Sequence, residues 1–208
     1  MDELIAEILE NMQIELPNST LPEPDMVSFY RLVQDRKYYI DGEITASAMM
    51  LQRLILLCNK EDLGKPAEDR KPIILYIMSP GGDLDYMYML IDTINLSITP
   101  VYTVNLGLAA SAASLIFMSG HKRFMTPFSK VLIHEGSAKL EGDAIKVMDA
   151  TEDYKKSLKQ MKEFIMAKTE IPKQLLFKKR SNDWTLTANE CLTYKVCDRI
   201  ITTLDEVL

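Results

Sequence analysis

A chain of 208 residues, 47% hydrophobic and 26% charged, has the composition of a soluble globular protein and the length for one full hydrophobic core. A formal net charge of -6, with no basic run longer than Lys178-Lys179-Arg180, excludes the electrostatic footprint of a nucleic-acid-binding surface. Three cysteines, Cys58, Cys191 and Cys197, are an odd number without metal-ligand spacing; they predict neither a disulfide framework nor a zinc site, and they suit a reducing, cytoplasmic setting.

The N-terminus is acidic and lacks the positive region of a secretory signal. Residues 2 to 16 place Leu4, Ile5, Ile8, Leu9 and Met12 on one stripe at helical spacing, and Pro17 to Pro24 reads as an extended linker. Residues 1 to 25 are therefore expected to be an appendage, with residues 26 to 208 as the main domain. The body is expected to open with the β-prone run Lys37-Tyr38-Tyr39-Ile40, followed by a largely buried helix from Ile44 to Cys58 and a charged loop from Asn59 to Lys71. Ile73 to Ile77 has the short continuous apolar character of a strand buried on both faces. Ser79-Pro80-Gly81-Gly82 closes that strand, and Asp83 caps a helix that runs to Leu96 with Leu84, Met87, Leu90, Ile91 and Ile94 on its inner face. The unit repeats with a strand at Val101–Val104, a turn at Gly107 and a helix from about Ser111.

Two more strands are expected at Arg123–Met125 and Lys130–Ile133, then a long helix from about Asp143 to Lys168. A helix of that length can project from its own body. A short helix at Thr187–Tyr194 and a last strand at Arg199–Ile201 complete a layered α/β fold. The longest apolar stretch, Leu106 to Met118, is shorter than a bilayer span and reads as buried core.

The stretch Gly107-Leu108-Ala109-Ala110-Ser111-Ala112 surrounds one hydroxyl with small residues at a strand-to-helix turn. A serine there faces the unpaired N–H groups and the positive end of the helix dipole, which suits a nucleophile and equally suits an N-cap. A serine nucleophile needs a base, and the chain has two histidines. His121 lies in a polar turn between Gly120 and Lys122, whereas His134 ends an apolar strand from which its ring can reach a cleft. His134 is the better candidate. Acyl transfer also needs donors for an oxyanion, and the backbone N–H groups of Gly82 and Ala112 are the candidates. Spacing does not select an orienting acid from thirty Asp and Glu residues.

Four motifs together resemble the proteolytic subunit of the Clp protease family: Ser79-Pro80-Gly81-Gly82 after an apolar strand, Gly107 to Ala112, Ile133-His134, and Asn182-Asp183-Trp184 ahead of Leu186-Thr187-Ala188-Asn189-Glu190. The resemblance spans about Ser28 to Ile201 and implies a Clp protease/crotonase-like fold of repeated strand-turn-helix units with a long projecting helix. It implies Ser111 as nucleophile, His134 as general base, Asp183 as orienting acid, Gly82 and Ala112 as oxyanion donors, and Leu84 and Gly136 along the substrate groove. It also implies a serine endopeptidase acting on unfolded or extended polypeptides inside a homo-oligomeric chamber of two stacked heptameric rings, fed by an AAA+ unfoldase ATPase. No cofactor or metal is implied, and the chain has no phosphate-binding loop of its own, so ATP hydrolysis falls to the partner.

The sequence departs from the family at two places. Glu135-Gly136 stands where the family has glutamine and proline, and the N-terminal region does not resemble the family's axial loop. Such divergence is similar to that of phage-encoded or auxiliary members. These departures keep open a noncatalytic or regulatory subunit of a mixed ring. A crotonase-like acyl-CoA enzyme is a third reading, because that superfamily also uses two backbone N–H groups as an oxyanion hole.

Overall fold

The computed structural model describes residues 24–136, 141–179 and 183–207. The amphipathic stretch 2–16, the linker preceding Pro24 and residues 137–140 lie outside the described residues.

The apolar runs assemble into a mostly parallel, seven-stranded sheet with helices packed against it. Strand β1 (Lys37–Ile40) pairs in parallel with β2 (Ile73–Ser79), and β2 pairs with β3 (Val101–Ala110). The first half of β3 pairs with β4 (Lys122–Met125) and its second half with β5 (Lys130–Ile133), while β6 (Trp184–Thr187) and β7 (Arg199–Ile200) extend from β5 and β4. All residues of β2 except Met78 are buried, as a continuous apolar run requires in a sheet covered on both faces. This is the layered α/β architecture expected from sequence.

Strand β3 is longer than its apolar run predicts. The turn expected at Gly107 is absent; the strand continues to Ala110 because β5 supplies a second partner, which a local window of sequence does not contain. Across this stretch β3 bulges, using Leu106 to Leu108 where β2 uses Met78 alone. A Cβ on Gly107 would meet Met78 Sδ at 2.6 Å, a contact that the exposed methionine side chain can relieve by moving.

Helix α1 (Pro24–Gln34) was not anticipated; Pro24, assigned by sequence to the linker, opens it, a position where proline's missing N–H costs nothing. Helix α2 (Ala48–Glu61) starts and ends later than the expected Ile44–Cys58 and is not largely buried: only Ala48, Leu51, Ile55 and Cys58 are, while Met50, Leu56 and Leu57 are exposed, because one face alone packs on the core. Helix α3 (Leu84–Asn95) follows its expected stripe, and Asp83 caps it by accepting from the Asp85 and Tyr86 N–H groups at 2.8 and 3.3 Å. Every residue of α4 (Ala112–Ser119) is buried. Helix α5 (Ala144–Lys168), capped by Asp143, buries only Met161 and Ile165, while Ile145 and Met148 near its start are 72% and 69% exposed. Its N-terminal half projects from the body. Helix α6 (Lys173–Lys179), starting after Pro172, and strand β6 were not anticipated; α7 (Ala188–Thr193) was, and a Thr187–Glu190 capping box starts it.

One buried ion cluster ties the α1–β1 junction to the end of α2 and to the segment that leads into β3. Arg36, at φ 59°, sends Nη1 to Asp62 Oδ2 at 2.6 Å and Nη2 to Asp62 Oδ1 at 3.0 Å, and Lys65 and Thr99 supply further donors to the fully buried carboxylate. The Arg36 guanidinium holds the Asp62 carboxyl well below the usual carboxylate range, against the opposing effect of burial. A group depressed on folding stabilises above its unfolded pKa and loses that contribution as pH falls. Asp62→Asn should therefore destabilise the protein by about 3 kcal/mol at neutral pH, because Arg36 then keeps only the half-exposed Glu61, 2.9 Å from its Nη2, as a carboxylate partner. In urea denaturation the difference from wild type should narrow as pH falls below about 4.

Candidate active site

The site forms where β2, β3 and β5 end side by side. Ser111 follows β3 directly, with φ 53° and ψ −126°, a conformation that non-glycine residues rarely adopt. Its backbone is held on both sides: the Ser111 N–H donates to Leu132 O at 2.9 Å, and its carbonyl accepts from the N–H and hydroxyl of Ser114 at 2.9 and 2.6 Å. Ser111 occupies the N-cap position of α4 but makes no side-chain capping bond. Its Oγ instead lies 2.7 Å from His134 Nε2. Of the two roles the sequence allowed, the side chain takes the histidine contact.

His134 follows β5, and its Nδ1 lies 3.3 Å from Asp183 Oδ1. The β5–β6 ladder explains this meeting. The strands are antiparallel with Ile133 opposite Trp184, so the next step of the register sets His134 opposite Asp183. His134 is 30% exposed and Asp183 is 72% exposed, so the chain Ser111–His134–Asp183 runs from the protein body out to solvent. His121 sits at the opposite end of β3, where its Nδ1 accepts the Val101 N–H at 3.1 Å; roughly 30 Å of strand separate it from Ser111.

The two glycines at the end of β2 divide their work. A Cβ on Gly81 (φ 103°) would lie 2.6 Å from Ser111 Cβ, 2.7 Å from Ala110 O and 3.1 Å from Ala112 N, so it is Gly81 whose bare backbone abuts the serine. Gly82 (φ 150°) presses on Ile44, whose O and N would lie 2.3 and 2.6 Å from a Cβ. Because the Gly81 carbonyl accepts from Ile44 N at 2.7 Å, the Gly82 N–H of the same trans peptide points the other way, toward the β3 side. The Ala112 N–H opens the first turn of α4 and points out of the helix. Among the described residues neither N–H meets a hydrogen-bond acceptor. Ser79 fixes this turn, with its hydroxyl donating to Gly42 O at 2.6 Å and accepting the Gly81 N–H at 3.1 Å.

Leu84, at the first turn of α3, is half-buried and packed on the core, and Gly136 lies two residues past His134 with φ 78°. Glu135, where the resemblance implies glutamine, does not leave an uncompensated charge: Lys162 Nζ of α5 lies 2.6 Å from its Oε1. Sequence reasoning missed Lys162 and Tyr154, whose hydroxyl donates to Glu135 O at 2.8 Å, because their parts depend on chain segments meeting across the fold. Only the Ser-Pro-Gly-Gly run itself signalled that a backbone passes close by.

A strained hydroxyl against a histidine, a carboxylate behind that histidine and two open N–H donors beside the hydroxyl make an arrangement suited to acyl transfer. The model of the Clp protease family matches residues 24–204, and the chain belongs to that family. It is 29% identical over 179 residues to ATP-dependent Clp protease proteolytic subunit 3 of Rhodococcus jostii (strain RHA1), covering 85% of this chain and 86% of that relative. It is likewise 29% identical over 182 residues to ATP-dependent Clp protease proteolytic subunit 2 of Treponema pallidum (strain Nichols), covering 85% and 87%. Membership supports a peptidase role. Among the described residues no helix is long and apolar enough to cross a membrane.

The close approach at Gly81 gives a direct test. Gly81→Ala places a methyl group against Ser111 and Ala110 O, and it should lower peptidase turnover by at least about 10²-fold, the scale of a displaced reacting group. Circular dichroism and thermal melting would check that the fold survives.

Proposed function

We propose that this protein is a serine endopeptidase in which Ser111 attacks the peptide carbonyl, His134 takes its proton and Asp183 orients the imidazole. The observation that carries this reading is the 2.7 Å contact between Ser111 Oγ and His134 Nε2, made by a serine placed to cap a helix but not capping it. His134 Nε2 accepts the hydroxyl proton as the Ser111 Oγ–carbonyl bond forms, then returns it to the leaving amine, leaving an acyl-enzyme that water hydrolyses by the same route. The Gly82 and Ala112 N–H groups receive the oxyanion, and Leu84 and Gly136 border the groove for an extended polypeptide. No metal or cofactor enters these steps.

The same reading includes assembly into stacked heptameric rings that enclose the sites, with unfolded polypeptide delivered by an AAA+ ATPase. Support comes from the family and from α5, whose exposed Ile145 and Met148 need covering. Introducing charge with Ile145→Glu and Met148→Glu together should halve the assembly mass in sedimentation velocity if α5 joins the rings.

The chemical step is tested by labelling with a fluorophosphonate and locating the modified residue by mass spectrometry. Wild type should label at Ser111 alone, and Ser111→Ala should abolish labelling and lower peptidase turnover by roughly 10⁴ to 10⁶-fold. Unchanged turnover in Ser111→Ala would refute the assignment.

A further inference from the structure

We infer that the Glu135–Lys162 ion pair, with Tyr154, is a positioning device by which helix α5 holds His134 against Ser111 and tunes the charge around it; this rests on the reading of His134 as the general base. Glu135 is the residue immediately after His134, and α5 grips it at two points. Tyr154 Oη donates to Glu135 O at 2.8 Å, and Lys162 Nζ sits 2.6 Å from Glu135 Oε1 two helical turns further along. The side chains of Glu135 and Lys162 are 29% and 20% exposed, and Oε1 itself is shut off from solvent. No aligned hydrogen bond forms at Oε1, so the attraction is that of two charges in close contact. Lys162 also lies over the Phe177 ring, 5.5 Å from its centroid. It borders the small apolar cavity that His134 and Trp184 edge from the other side.

Gly136 completes the clamp. With φ 78° it turns the chain away directly beneath the Tyr154 hydroxyl, which a Cβ there would meet at 3.4 Å. The segment after His134 is therefore fixed from α5 rather than by its own strand, which ends at Ile133. Among the described residues, the charged and titratable groups facing His134 are Asp183 just before β6, Glu135 on its own segment, Lys162 from α5 and Lys179 from α6, with the Tyr154 phenol behind Glu135. Removing one member of the pair leaves the other as an unbalanced charge beside the imidazole, and the sign depends on which is removed.

The test measures the second-order rate of fluorophosphonate labelling at Ser111 against pH in wild type, Glu135→Gln, Lys162→Met and the double variant, using the intact protein. Both single variants should label about tenfold more slowly at the optimum. Glu135→Gln leaves Lys162 unbalanced, and the acid limb of its profile should move to lower pH; Lys162→Met leaves Glu135 unbalanced, and its limb should move to higher pH, each by roughly 0.3 to 1 pH unit. The double variant should return the limb toward wild type while the rate stays low. Loss of structure alone would slow labelling without opposed shifts. Should a single variant fail to fold, Tyr154→Phe removes only the bond to Glu135 O and should slow labelling with the limb unmoved. Wild-type profiles in all folded variants, or shifts of the same sign in both single variants, would overturn the inference while leaving the proposed nucleophile standing. Absence of labelling in wild type would instead overturn the proposed function, and this inference with it.

Discussion

The structure depends on one close approach, the backbone of Gly81 lying against Ser111. It is achieved only because β2 and β3 end side by side, Ala110 and Ala112 flank the serine, and Gly81 carries no side chain. A positive φ at a serine costs about 1–3 kcal/mol and persists only where surroundings over-determine it. Here they do so through Leu132 O, the Ser114 donors and the Gly81 contact. The consequence is an Oγ turned out of its capping role and toward His134.

Electrostatics around the site divide by depth. Asp183 faces water, where its effect on His134 is screened, so its main contribution in the proposed reaction is orientation. Glu135 and Lys162 are more enclosed, and their charges act through a less polar medium. The Glu135 charge thus comes with its own compensation from α5, and the pair adds no net charge beside the imidazole.

The residues made some of this legible and concealed the rest for definite reasons. Strands β1, β2 and β5 and helices α3 and α5 declared themselves because each is a local pattern: a short apolar run, a stripe at helical spacing, an Asp cap. The turn expected at Gly107 is absent because β3 continues by virtue of a partner about twenty residues on. Strand β6 is four residues long, with alternate residues exposed, and it is recognisable only through its pairing with β5. That is why the orienting acid had to come from resemblance: nothing near Asp183 in sequence distinguishes it, and the ladder that brings it to His134 is nonlocal. His134 itself was legible because a histidine at the end of an apolar strand is held by a rigid element, whereas His121 was not so placed.

The antiparallel ladder of β5 and β6 has a genetic consequence. Thr185 and Thr187 face outward while Trp184 and Leu186 face the core, so a single substitution at Thr185 changes little of the interior. A one-codon insertion or deletion between Asp183 and Thr187 is another matter. The capping box at Thr187 and Glu190 anchors the far end, so the strand residues between Asp183 and the change shift by one place and exchange faces, and Asp183 is carried one residue along the strand away from His134. Natural or engineered variation in this segment should therefore be written in side-chain identity and hardly ever in length.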